Sequence, residues 1–141
     1  MDENWMQIRG FDGEGFQSLI EFGDWRVAIL NYLEDIHPEH NDTMERHIES
    51  DEVFVLLKGK GVLLIGGNEA IIESIFQQAL EQGKIYNVMR NTWHTILLSR
   101  DASVLLVENR DTREQNSEYV SLSKDQKDTI IEIANREGLG D

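Results

Sequence analysis

The chain has 141 residues, no cysteine, and 27 acidic against 13 basic side chains, for a formal net charge of −14. That length suits one domain on one core, and eleven aromatic residues (three Trp, three Tyr, five Phe) exclude a disordered chain. The missing cysteine excludes a disulfide scaffold, a thiol nucleophile and a thiolate metal site, and the acidity disfavours nucleic acid and anionic membranes, which need a basic face.

The opening Met1-Asp2-Glu3-Asn4-Trp5 lacks the basic-then-apolar run of a signal peptide. No stretch reaches the roughly 18 apolar residues of a spanning helix, so a soluble, cytoplasmic protein is expected. Gly10, Gly13 and Gly15 punctuate a turn-rich N-terminal extension. Short strands are predicted at 27–33, 53–57, 62–65, 92–98 and 104–108, where β-branched and large apolar residues cluster between turn formers. Gly59-Lys60-Gly61 reads as a hairpin turn, and Gly66-Gly67-Asn68 and Ser99-Arg100-Asp101 as further turns. Taken alone, residues 69–81 have helical propensity, with apolar side chains at 71, 72, 75, 76, 79 and 80. Near the end, Ser123 and Gln126 make a capping box ahead of Ile130, Ile131 and Ala134, and Gly138 stops the segment. A helix over about 124–137 is predicted there. Many short strands separated by tight turns favour an antiparallel sandwich or barrel over alternating α/β units.

The charge is unevenly placed. Residues 34–52 hold eight acids (Glu34, Asp35, Glu39, Asp42, Glu45, Glu49, Asp51, Glu52) against the single Arg46. Such a block is either a solvated face or a set of carboxylates held together by a cation. Within it, Glu45 and His47 are two apart and share a face on an extended strand. Glu52 opens the next strand with the parity of Phe54, and His94 sits in the strand-like run Thr92–Leu98. If these strands lie side by side, two imidazoles and one or two carboxylates converge as the donors of a divalent metal. The other reading is a buried histidine hydrogen-bonded to a carboxylate, without metal.

Two stretches together resemble the motifs of the cupin superfamily of small β-barrels. Glu45-x-His47, four residues, Glu52, six residues and Gly59 are similar to the first motif; Gly83, five residues, Met89-Arg90-Asn91, two residues and His94 are similar to the second. The likeness covers roughly 25–110 and is looser to small, uncharacterised bacterial cupins. Glu45 stands in place of the family's first histidine, Glu39 in place of its opening glycine, and Leu98 in place of its closing asparagine. Met89 and Asn91 replace the proline and glycine of the turn, and asparagine tolerates the left-handed backbone that glycine supplies there.

The resemblance implies an all-β, cupin-type double-stranded β-helix (a jelly-roll barrel) spanning 1–141 as one domain, with an N-terminal extension and a short C-terminal helix. It replaces the helix at 69–81 by a connection near 69–73 and a strand near 74–80. Carried over by position, the metal ligands fall on Glu45, His47, Glu52 and His94, holding Mn, Fe, Zn, Ni or Co. Phe54, Lys58 and Tyr86 are the candidates for a ligand pocket, Phe54 and Lys58 through the parity of Glu52. Trp93 has the opposite parity to His94 and is expected to pack outside the barrel interior. The remaining six acids of residues 34–52 form a solvated rim. The expected function is binding of a divalent metal, a small molecule, or both. The alternatives are a metal-dependent isomerase or epimerase acting on a small hydroxy-carbonyl compound, and a metal-free structural or interaction protein. Exposed sheet edges and the aromatic N-terminal segment lead to an expected homodimer.

Overall fold

The computed structural model describes residues 1–140. The strands are β1 (Phe16–Phe22), β2 (Trp25–Asn31), β3 (Thr43–His47), β4 (Glu52–Lys58), β5 (Gly61–Ile65), β6 (Phe76–Ala79), β7 (Tyr86–Val88), β8 (His94–Leu98), β9 (Ser103–Asn109) and β10 (Ser117–Ser121). One helix, α1 (Lys124–Arg136), follows. The strands make two antiparallel five-stranded sheets, in the orders β1-β2-β9-β4-β7 and β10-β3-β8-β5-β6. This is the expected all-β jelly roll. It reaches past residues 25–110 at both ends, because β1 pairs with β2 and β10 pairs with β3.

Period-2 alternation divides the apolar side chains between two cores. Phe54 and Leu56 of β4, Leu63 of β5, Ile96 and Leu98 of β8, and Val104 and Leu106 of β9 fill the space between the sheets. Their strand neighbours on the opposite face, Met44, Val62, Leu64 and Leu97, meet Ile130, Ile133 and Ala134 of α1 behind the second sheet. Trp93 lies in this outer layer, as its parity requires. The helix starts where the capping box places it: Ser123 Oγ accepts from Gln126 N at 3.1 Å, and Gln126 Oε1 accepts from Ser123 N at 2.9 Å.

Residues 69–81 do not form the helix that their propensity predicts. Phe76–Ala79 instead pairs with Val62–Ile65, extending the second sheet by one strand, while the chain before it is irregular. Helix propensities differ by only about 0.7 kcal/mol per ordinary residue, too little against a hydrogen-bonded ladder that covers the edge of β5. Two turns use left-handed backbone. Gly59 (φ 76°) has no room for a Cβ, which would meet Ala102 Cα at 2.5 Å. Asn91 (φ 64°) is the one non-glycine residue with positive φ among those described, as its place in the second motif implied.

Candidate functional site

The strand register brings the polar residues into facing rows. In the first sheet, Arg26 of β2, Glu108 of β9 and Glu52 of β4 are direct cross-strand partners. In the second, Tyr119 of β10, Glu45 of β3 and His94 of β8 are partners, and Ser117 lies opposite His47 one alternation away. The loop before His94 is pinned on the same side: Asn91 N donates to His47 O at 2.8 Å, and Arg90 N donates to Asp51 Oδ1 at 2.8 Å.

One ligand atom from each of Glu45, His47, Glu52 and His94 lies within 4.8 Å of all the others. His47, Glu52 and His94 are buried and Glu45 is half-buried. His47 Nε2 and His94 Nε2 stand 3.1 and 3.0 Å from Glu52 Oε1, and His47 Nε2 is 3.6 Å from Glu45 Oε1. The other nitrogen of each imidazole is occupied. His94 Nδ1 is 2.8 Å from the Thr92 carbonyl, and His47 Nδ1 is 2.8 Å from Ser117 Oγ. The aromatic edge of Phe54 meets His94 at 6.1 Å between ring centroids, closing the cluster on its apolar side.

The Thr92 carbonyl decides the chemistry. A carbonyl only accepts, so His94 Nδ1 carries a hydrogen, and in neutral imidazole that leaves a lone pair on Nε2. This lone pair would face a carboxylate oxygen at 3.0 Å. The arrangement therefore calls for a positive charge between or on the two groups, a second proton or a metal cation. The donor set fits a metal: two imidazole nitrogens, one with its tautomer fixed by the Thr92 carbonyl and the other held from behind by the Ser117 hydroxyl, and carboxylates that offset the charge. In the protonated state the titrations agree. Burial pushes Glu52 up, but hydrogen bonds from His47 and His94 outweigh it and hold the carboxyl at about 2. Burial lowers both histidines, and the Glu52 hydrogen bond and charge more than restore them, so both lie above their ordinary 6.5. Glu45 is raised, chiefly by burial.

A cavity of about 320 Å³ opens from the cluster, with Leu30, Ile36, Phe54, Ile96 and Leu106 on its walls and Arg113 and Tyr119 at its exposed margin. An adjoining cleft of about 570 Å³ reaches Glu45 and His94 from the side of Asp35, His40 and Asp42. The six acids read as a rim (Glu34, Asp35, Glu39, Asp42, Glu49, Asp51) are all exposed.

Of the three pocket candidates, Phe54 lines this cavity and the other two do not. A bulge between Leu56 and Lys58 inserts one residue into β4 and resets the alternation, so Lys58 turns outward and is exposed. Tyr86 lies opposite Phe54, but its ring packs against the inner core and its hydroxyl accepts from Glu81 N at 2.9 Å.

Glu108 is the site residue that sequence reasoning missed. It is 6% exposed, its Oε2 accepts from Arg26 Nη2 at 2.6 Å and Nε at 3.1 Å, and its Oε1 lies 4.0 Å from His47 Nε2. Burial and the neighbouring Glu52 charge raise its carboxyl to about 7, against the opposing pull of Arg26. A signal was available: Glu108 continues the inward stripe of Val104 and Leu106.

Two sheets, this topology and an inward His/Glu cluster define a protein of cupin fold. No family model matches the sequence, and no curated protein matches it. Solved structures do match. A cupin-2 domain protein from Shewanella frigidimarina superposes with a TM-score of 0.50 at 16% identity, over 71% of this chain and 85% of its own. A Streptomyces Pac13 variant with uridine gives 0.55 at 14%, over 79% and 83%; Pac13 is described as a nucleoside dehydratase. The capsular polysaccharide assembling protein CapF of Staphylococcus aureus gives 0.57 at 15%, over 86% of this chain and 34% of CapF. At these identities the likeness is one of fold, which many unrelated chemistries share. Among the described residues, no helix is long and apolar enough to cross a membrane.

Proposed function

We propose that the protein binds a divalent transition metal through Glu45, His47, Glu52 and His94 and receives a small molecule in the cavity beside it. The observation that carries this is the His94 tautomer: its Nδ1 is committed to the Thr92 carbonyl, so its Nε2 can stand 3.0 Å from Glu52 Oε1 only across a second proton or a metal cation. A metal held by both would supply the positive charge that the pair calls for. Two carboxylates beside two imidazoles suit Mn or Fe, whereas the intrinsic affinity order puts both below Co and Ni. When bound, such an ion polarises a carbonyl or hydroxyl oxygen of its ligand. The cavity volume of about 320 Å³ suits a small ligand.

Catalysis is the second reading, favoured by the position of Glu108. It faces the cavity beside the donor set without belonging to it, where a proton acceptor for a hydroxy-carbonyl isomerase or epimerase would stand. The exposed aromatics Trp5, Phe22 and Trp25 and the open edge of β1 support a homodimer, which sedimentation equilibrium measures directly.

The deciding experiment is metal analysis of protein purified from metal-replete medium. One transition-metal ion per chain is expected, and none in His94→Ala. Protein that takes up no metal, purified or on titration with Mn, Fe, Ni, Co and Zn salts, overturns the assignment.

A further inference from the structure

Glu108 has one oxygen in use and one to spare. Oε2 takes both the Nε and Nη2 hydrogens of Arg26. Arg26 is itself fixed, donating to the carbonyls of Thr112 at 3.1 Å and Arg110 at 3.5 Å, with its guanidinium 4.9 Å from the Phe16 ring centroid. The carboxylate is thereby held, with Oε1 4.0 Å from His47 Nε2 in the cavity lining. Among the described residues Oε1 accepts no hydrogen bond, although the Glu108 side chain is only 3% exposed. Glu108 lines the cavity and His47 Nε2, at 4.0 Å, is beyond hydrogen-bond reach of Oε1, so the oxygen can take a hydrogen arriving from the cavity.

We infer that Glu108 determines which ligand the cavity takes: its Oε1 accepts a hydrogen bond from a hydroxyl of a neutral, polyhydroxylated, sugar-like molecule bound beside the cluster. This rests on the metal reading above. Glu45, Glu52 and Glu108 make the floor acceptor-rich, and Arg26, the half-buried cation beside it, is already committed. Arg113, at the margin, is exposed and paired with Asp111 at 3.0 Å. With Glu45 and Glu52 offsetting the charge of the metal, an anionic ligand finds no free buried donor and meets the Glu108 carboxylate. An ammonium offers hydrogens to Glu108 but has no lone pair for a metal. A hydroxyl group provides both, and neighbouring hydroxyls provide them at two points. The apolar walls, Leu30, Ile36, Phe54 and Leu106, suit the C–H face of the same molecule.

The test titrates metal-loaded protein with D-ribose and its monodeoxy analogues, by calorimetry or, for the Mn form, by water-proton relaxation. Wild type is expected to bind the pentose and to bind at least one monodeoxy analogue about tenfold more weakly, the size of one hydrogen bond to a charged group. In Glu108→Gln, which keeps an acceptor for Arg26, that ratio is expected to fall to within about threefold. Glu108→Asp is the second variant: it keeps the charge beside Arg26, withdraws the oxygen from the cavity and loses the same discrimination. An unchanged ratio in variants that still hold metal overturns the role of Glu108. Metal-loaded wild type that ignores the pentose, or prefers its 5-phosphate, overturns the ligand class. Wild type that takes up no metal is a different result, the failure of the metal assignment itself.

Discussion

The donor atoms are only as well placed as the groups behind them. His47 Nδ1 is held by Ser117 Oγ at 2.8 Å, a contact fixed by the β10–β3 register that sets Ser117 opposite His47. Removing that hydroxyl leaves every donor atom in place but frees the ring. Ser117→Ala is therefore expected to weaken metal binding by about 10–100-fold, read by competition with a chromophoric chelator, with little change in the fold. The same residues set the response to pH. His47 and His94 lie above their ordinary 6.5 in the metal-free fold, so their stabilisation is complete below that value and is lost as pH rises through their folded values. Glu108, at about 7 against an ordinary 4.5, works in the same direction, because the folded state disfavours its ionisation from 4.5 upward. Glu52, at about 2, does the opposite: its stabilisation is present above 4.5 and lost as pH falls toward 2. Metal-free protein should be most stable near about pH 5 and its Tm should fall toward about pH 8, whereas metal, which needs deprotonated imidazoles, should bind more tightly over that interval. Calorimetric scans with and without chelator check both slopes, and a metal-free Tm that rises from pH 5 to 8 contradicts the assigned protonation.

At the scale of elements, the sequence was legible where one local rule acted alone. The Ser123–Gln126 capping box marked α1, and parity sent Trp93 outward and His94 inward; Gly59-Lys60-Gly61 marked a turn but not the expected hairpin, because the strands it joins, β4 and β5, belong to different sheets. Legibility failed where a non-local partner decided. Residues 69–81 read as a helix by propensity alone; only the resemblance to cupins put a strand near 74–80, where Phe76–Ala79 covers the edge of β5. Lys58 has the right parity by counting, yet a bulge opposite Val104–Ser103 of β9, which nothing in β4 announces, turns it out. Glu108 carries no signal of its own beyond its parity, because its meaning comes from Arg26 and Glu52, 82 and 56 positions away in sequence. The layered architecture also separates stability from the site. Ile130 is fully buried against the outer face of the second sheet, on the other side from the cluster. Ile130→Ala should cost about 2–5 kcal/mol in urea unfolding and leave metal affinity within about threefold. A comparable loss of metal affinity in the folded variant would mean that the helix layer positions the site.

For the whole molecule, a net charge of −14 is a field as well as a composition. Six of its acids are exposed in the same segment that supplies Glu45 and Glu52, and two of them, Asp35 and Asp42, line the cleft that reaches Glu45 and His94. Asp42 has a partial counter-ion in Lys127 at 3.5 Å, but both side chains are well exposed, so solvent screens the pair and the cleft keeps its sign. Such a cleft concentrates divalent cations and discourages anions, and its influence extends about one Debye length, roughly 8 Å at physiological salt. The effect belongs to capture rather than to the bound state, because neither aspartate is among the four donors. Asp35→Asn with Asp42→Asn should therefore slow metal association severalfold at low ionic strength while leaving dissociation nearly unchanged. In about 1 M salt, where the Debye length falls to about 3 Å, the variant and wild type should converge. Stopped-flow metal uptake across a salt series separates the two possibilities: a difference that persists at high salt would make these aspartates direct ligands, and no difference at any salt would leave the acidic rim without a part in metal capture.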